Sequence, residues 1–137
     1  MEGKMLETSM LLVKPDGVKK GLVNEIREIL LANSLIVVME KNKVLSRKTV
    51  IKLYSHVGNI SDRIYFPELV DFMTSSEVHI FIVEGDNAVS KIRLIIGKRE
   101  PPSGIREKWA ESIIKNIAHG PHTLEEAKME INLILGD

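Results

Sequence analysis

Residues 78–83, Val-His-Ile-Phe-Ile-Val, are apolar and rich in β-branching except for one histidine, a run that reads as a buried strand. Such a strand needs neighbours and cover. Residues 10–13, Met-Leu-Leu-Val, form a second apolar run that stops at Lys14-Pro15-Asp16-Gly17, a strand followed by turn chemistry. A third, residues 35–39, reads as a buried strand continuing raggedly to Leu45, and residues 116–120, too short for a helix, suit an edge strand.

The segments between carry helical periodicity. Leu22, Ile26, Ile29 and Leu30 share one helix face, with Glu25, Arg27 and Glu28 elsewhere and Asn33 as the stop. Ser46 can cap a helix over 47–57, and a further helical patch lies near 67–75. Ala88, Ile92, Ile95 and Ile96 mark another helix, ended by Gly97. Beyond the loop 99–104 with its Pro101-Pro102 pair, Ile105, Trp109 and Ile113 predict a short helix. Thr123-Leu124-Glu125-Glu126 is a capping box opening a last helix with a buried stripe of Ala127, Ile131 and Ile134. Strands interleaved with amphipathic helices indicate an α/β chain of the α+β kind. The order suits a ferredoxin-like sandwich, a four-stranded antiparallel sheet covered by helices.

At 137 residues and 44% apolar the chain suits one domain, 1–137, able to bury a core without staples. Lys plus Arg balance Asp plus Glu at 19 each, which argues against nucleic acid as a partner. No cysteine is present, so thiolate nucleophiles and Cys-based zinc sites are excluded, and a reducing compartment fits. No apolar stretch reaches the ~18 residues of a membrane helix, and the first nine residues lack the apolar run of a signal peptide. These features predict a cytoplasmic protein with no membrane partner.

Several chemical templates are missing. No two glycines stand two apart, so G-x-G-x-x-G cannot occur, and there is no Walker A, H-E-x-x-H or G-x-S-x-G sequence. Phosphate handling would fall to side chains. Of the four histidines, His56 in a predicted helix and His79 in a predicted strand read as structural or surface residues. Asn116-Ile117-Ala118-His119-Gly120-Pro121-His122 crowds a polar Asn, two His, Gly and Pro ahead of a capped helix. It reads either as a polar turn or as a segment holding His119 toward a ligand; a metal at His119 and His122 lacks Asp or Cys nearby. Lys14 sits at a strand end beside what is otherwise an ordinary turn. Arg93 is either a snorkelling surface residue or a cation aimed into a pocket. Arg99 and Arg106 flank the Pro-Pro loop as solvated cations or ligands, and Tyr65-Phe66 is either core or a stacking platform.

Taken together, these segments resemble the nucleoside diphosphate kinase family over nearly the whole chain. The resemblance is carried by Leu12-Val13-Lys14-Pro15-Asp16-Gly17-Val18 with Gly21-Leu22-Val23 and Glu25, and by Tyr65-Phe66-Pro67-Glu68-Leu69-Val70 with Phe72-Met73-Thr74-Ser75. Glu84-Gly85-Asp86-Asn87-Ala88-Val89 with Arg93 and Gly97, Ile105-Arg106, Asn116 to Gly120, and Glu126-Ala127 with Glu130-Ile131 complete it.

The resemblance implies the ferredoxin-like fold and a ping-pong transfer of the γ-phosphoryl group from ATP to a nucleoside diphosphate through a phosphohistidine. His119 would be the nucleophile, since neutral imidazole is competent near pH 7 and covalent catalysis splits the transfer in two. Lys14, Arg93, Arg99 and Arg106 would bind phosphate oxygens, with Mg²⁺ held by those oxygens and not by the protein. Glu130 would fix the His119 tautomer, Tyr54 would line the site beside it, and Asn116 would contact the sugar. Tyr65, backed by Leu69, would stack on the base and so accept purines and pyrimidines alike. The resemblance also implies a homo-oligomer.

The chain departs from the family pattern in places. Tyr65 stands for a Phe, Pro121 for a Ser, His122 for an Asp and Arg99 for a Thr. The 99–106 loop is about four residues short and about three are inserted near 57–61. Pro121 removes a hydroxyl and a backbone donor beside His119, which motivates the alternative of a catalytically weakened nucleotide- or partner-binding domain of the same fold. A ferredoxin-like nucleic-acid binder is a third class, poorly matched by the charge balance and by 4% aromatic residues.

Overall fold

A computed structural model describes residues 6–56, 60–98 and 100–137. Four strands, β1 (Leu6–Val13), β2 (Ile36–Lys43), β3 (Val78–Asp86) and β4 (Ala118–His119), form one sheet in the order β2-β3-β1-β4. Every pairing is antiparallel, which establishes the ferredoxin-like α+β sheet. The helices are α1 (Pro15–Lys19), α2 (Val23–Ala32), α3 (Arg47–Ser55), α4 (Phe66–Met73), α5 (Ala88–Ile96), α6 (Gly104–Trp109) and α7 (Leu124–Leu135), with a short 3-10 turn at Ile60–Asp62. No helix among the described residues is long and apolar enough to cross a membrane.

Strand periodicity divides the interior in two. Leu11 pairs with Phe81 and Met10 with Ile82, so residues opposite each other share a face and neighbours along each strand do not. Leu11, Val13, Phe81 and Val83 pack with Ile26 and Leu30 of α2 and Ile92 and Ile96 of α5. Met10, Leu12, Ile80 and Ile82 pack on the other face with Val50 and Leu53 of α3, Leu69 and Met73 of α4, and Ile134 of α7. The strands β1 and β3 are thus covered above and below, which is why their central segments contain almost no polar residue.

Three expectations change. The apolar 35–39 run is not a buried strand. β2 is an edge strand, and Ile36, Val38 and Met39 are 64%, 51% and 43% exposed, because only the side bearing Val37 packs toward α2. The register also shifts between Val37 and Met39, a bulge of the kind that twists edge strands. The short helix stops at Trp109 and does not reach Ile113, since Ala110 turns extended. The α3 helix ends at Ser55 and not 57, with residues 57–59 outside the described ones.

The capping box also differs in detail. Thr123 Oγ1 accepts from the Glu126 N–H, but the Glu126 carboxylate accepts from the N–H of His122, one residue before the cap. On the α7 stripe Glu130 joins Ala127 and Ile134 as a buried position, while Ile131 is only half-buried.

Phe81, fully buried at the sheet centre, should be a stability anchor. Phe81→Ala is expected to lower unfolding free energy by about 3–5 kcal/mol. Ile64→Ser, at a side chain 99% exposed, should change it by less than about 0.5 kcal/mol. Urea denaturation of both variants checks the contrast.

Candidate active site

The end of β1 is tied to a segment about a hundred residues further on. Leu12 and Val13 pair with His119 and Ala118 of β4, and the Lys14 N–H donates to the Ile117 carbonyl at 2.7 Å. Asp16, in the first turn of α1, accepts from the Ile117 N–H at 3.1 Å across the same gap. Ile117 has φ +78°, a left-handed conformation that a β-branched residue adopts only under constraint. Here the constraint is visible: both its backbone polar groups are held by the β1–α1 turn, and its side chain is fully buried. This kink sets the path of the chain into Ala118 and His119. Gly120 follows where a Cβ would lie 2.7 Å from Ile92, so the backbone lies close against α5.

Above this segment opens a cleft of about 280 Å³. Lys14, Tyr54, Arg93, Arg106, Asn116 and His119 line its polar end. Tyr65, the N-cap of α4, and Leu69 one turn on also line it, with Ile60 and Ile113. Of the ten residues that the resemblance assigns to the site, all but two line this cleft. Glu130 stands behind His119 on α7, and Arg99 lies outside the described residues. His79 is elsewhere, on β3, its Nε2 2.7 Å from Glu40 Oε1 and its Nδ1 against Asn42; Glu40 is also held by Arg27.

His119 Nε2 meets Glu130 Oε1 at 2.8 Å. Since a carboxylate only accepts, the ring proton sits on Nε2 and the Nδ1 lone pair is left open. Tyr54 lies edge-on to the imidazole, centroids 5.1 Å apart. Burial, helped by the Glu130 charge, holds the Tyr54 phenol well above its ordinary pKa, so it stays a neutral hydroxyl. Burial alone would raise the Glu130 pKa, but hydrogen bonds from His119 and then His56 outweigh it and keep the group ionised below the usual range.

Three cations converge on the cleft. Lys14 Nζ donates to the Ile114 carbonyl at 2.6 Å and to Asn116 Oδ1 at 2.8 Å. Burial pushes its pKa down to about 7, with Asp16 opposing the shift and Arg106 adding to it. Arg93 Nη1 reaches the Gly120 carbonyl at 3.1 Å, and Arg106 reaches the Gly97 and Ala118 carbonyls at 3.4 Å. Burial lowers the Arg93 pKa while Glu126 and Glu130 raise it, and the guanidinium remains charged at any working pH. His122 also lines the cleft, its pKa lowered by burial and by Arg93 against the pull of Glu126.

The carboxylates nearest this cluster, Glu126 and Glu130, are engaged with His122 and with His119 and His56. A hard divalent cation, which takes oxygen ligands, is therefore better served by phosphate oxygens in the cleft than by these side chains. The sequence reading gave three residues no part in the site: Asp16, taken as part of a turn, Ile117, and His56, read as a structural or surface histidine, whose Nε2 lies 2.7 Å from Glu130 Oε2. A signal for His56 was available, because a carboxylate placed on a buried helix stripe needs a donor for each oxygen.

A buried imidazole held by a carboxylate, three cations and apolar side chains line one cleft, an arrangement suited to a phosphorylated, partly planar ligand. The family model described as nucleoside diphosphate kinase matches residues 7–137. A relative of that name from Campylobacter fetus subsp. fetus (strain 82-40) is 40% identical over 131 residues, covering 92% of this chain and 93% of the relative. One from Saccharolobus solfataricus is 37% identical over 132 residues, covering 93% of each. The apo crystal structure of nucleoside diphosphate kinase from Encephalitozoon cuniculi superposes with TM-score 0.88 at 32% identity, covering 96% of this chain and 90% of that one. The chain belongs to the nucleoside diphosphate kinase family, and with it to the nucleotide-binding phosphotransferases. Members of this family generally depend on a divalent cation.

Lys14 gives the site a pH signature. Phosphate held beside Lys14 would raise its pKa from about 7, so binding would take up a proton above pH 7 and nucleotide affinity would fall as pH rises. The expected slope is at most about tenfold per pH unit. Titration calorimetry with ATP between pH 7.5 and 9 should show this decline in the native protein. Lys14→Met should bind more weakly and with a flatter profile.

Proposed function

We propose that this chain, acting as one domain over 1–137, transfers the γ-phosphoryl group of ATP to nucleoside diphosphates through a phosphohistidine on His119. The single observation that carries this is the His119–Glu130 hydrogen bond beside three cations in one cleft. In the first half-reaction His119 Nδ1 attacks the γ-phosphorus. The bond to the β–γ bridging oxygen breaks, and ADP leaves with its electron pair. In the second, a terminal oxygen of the incoming nucleoside diphosphate attacks, and the N–P bond returns its electrons to Nδ1.

Charge in such a transfer spreads over the phosphoryl oxygens, so positioning and cations do most of the work. Lys14, Arg93 and Arg106, which line the cleft, would take that part, and Arg99 is assigned the same part by resemblance alone. Mg²⁺ on the nucleotide phosphates would add charge neutralisation. Glu130 holds the tautomer and stabilises the ring's positive charge as the N–P bond forms; Tyr54 packs the ring in place. Asn116, its Oδ1 already anchored by Lys14, has a second lone pair for a sugar hydroxyl. Tyr65 and Leu69 form an apolar surface for the base, which accepts a π-face whatever its hydrogen-bond pattern.

The same reading gives the protein a cytoplasmic setting and association with copies of itself. The exposed apolar side chains of β2 and Leu31 are candidate contact groups for that association.

Intact mass after incubation with ATP and Mg²⁺ tests the central claim. One acid-labile phosphoryl group should appear, be lost on adding a nucleoside diphosphate, and be absent from His119→Ala. An adduct that survives in His119→Ala would sink the assignment. Pro121 favours the second reading, a weakened binding domain, because it offers His119 no hydroxyl or N–H. Pro121→Ser separates the two. Turnover should stay near that of the native protein, whereas a large gain would favour the weakened domain.

A further inference from the structure

Glu130 is fully buried, and a charge that deep persists only if both oxygens are satisfied. Oε1 accepts from His119, and Oε2 accepts from His56 Nε2 at 2.7 Å. Both rings must therefore carry their proton on Nε2, and one carboxylate bridges two imidazoles. His56 is the C-terminal cap of α3, two residues after Tyr54. One helix end thus delivers both the ring that packs against His119 and the donor that holds its partner.

The segment after His119 does not do this. Gly120 has no side chain, Pro121 has no hydroxyl or N–H, and both the backbone N–H and the imidazole of His122 lie against Glu126. A carboxylate held at one oxygen can rotate about its terminal torsion, which has no sharp minimum. Held at both, it cannot turn without breaking a hydrogen bond.

We propose that His56 is a positioning residue for phosphoryl transfer: it clamps Glu130 so that the other carboxylate oxygen holds His119 as its Nε2–H tautomer, with Nδ1 presented to the γ-phosphate. The proposal rests on the reading of His119 as the nucleophile. The ring gains positive charge as Nδ1 takes the phosphoryl group, and the Nε2–H bond to Glu130 strengthens at that moment. His56 keeps the acceptor in place for it, and touches neither nucleotide nor phosphorus.

Two measurements on the full chain test this, with His56→Ala and His56→Gln beside the native protein. The glutamine amide can donate near where the imidazole Nε2 does. In rapid-quench single turnovers with labelled ATP and Mg²⁺, His56→Ala should form phosphoenzyme about 10- to 100-fold more slowly, the scale on which outer partners of a functional histidine act. Its ATP affinity should be unchanged, and His56→Gln should recover most of the rate. Imidazole ¹⁵N shifts, which need no activity, should show His119 as the single Nε2–H tautomer in the native protein and in His56→Gln, and as a tautomer mixture in His56→Ala.

An unchanged His119 tautomer in His56→Ala, at native stability by urea denaturation, would overturn the proposal. So would equal losses of rate and ATP affinity that glutamine does not restore, since these describe a collapsed cleft. A native protein that shows the tautomer effect but forms no phosphoenzyme counts against the assigned reaction and leaves the clamp standing. Should His56→Ala not fold, the His56→Gln tautomer and rate decide alone, and loss of both overturns it.

Discussion

The cleft depends on the fastening of the β1–α1 turn to the segment 114–119. Lys14 supplies one main-chain and two side-chain hydrogen bonds to that segment, and Asp16 supplies the acceptor for Ile117. These bonds hold an isoleucine in a left-handed conformation, and with it the direction in which His119 leaves the sheet. The ammonium is itself costly to bury, and its depressed pKa records that cost. On the function proposed above, a cation so placed would gain from an arriving phosphate, which would add an anionic partner to its two neutral acceptors.

Around that fastening each element contributes one part. β1 and β3, covered on both faces, form a close-packed floor beneath the cleft. α5 and α6 bring Arg93 and Arg106 to carbonyls of the His119 strand and its surroundings, so the guanidinium groups are positioned before phosphate is present. α4 and the residue before it supply apolar lining, and α7 the carboxylate behind His119.

Much of this was legible because it is periodic. The 78–83 run, the α2 and α5 stripes and the Ser46 and Thr123 caps each encode their element locally, and the structure has them there. β2 was misread because apolar composition reports strand preference, whereas burial depends on what packs against the strand. Ile113 fell off its helix because Ala110 turns extended, a choice that spacing does not reveal. In the site, single-residue chemistry pointed to Lys14, His119 and the arginines, and family resemblance gathered them. His56 and Asp16 stayed hidden because their parts exist only across the fold, between residues 74 and 101 positions apart.

That separation also fixes when the site can exist. Contacts this distant in sequence close late, because the intervening chain must be ordered before they reward the closure. The first strand emerges from synthesis long before residues 114–119, and α7 with Glu130 comes last of all. A growing chain therefore holds Lys14 without its acceptors and His119 without its carboxylate. A fragment ending before α7 keeps the cations that line the cleft and lacks the carboxylate against which His119 is held.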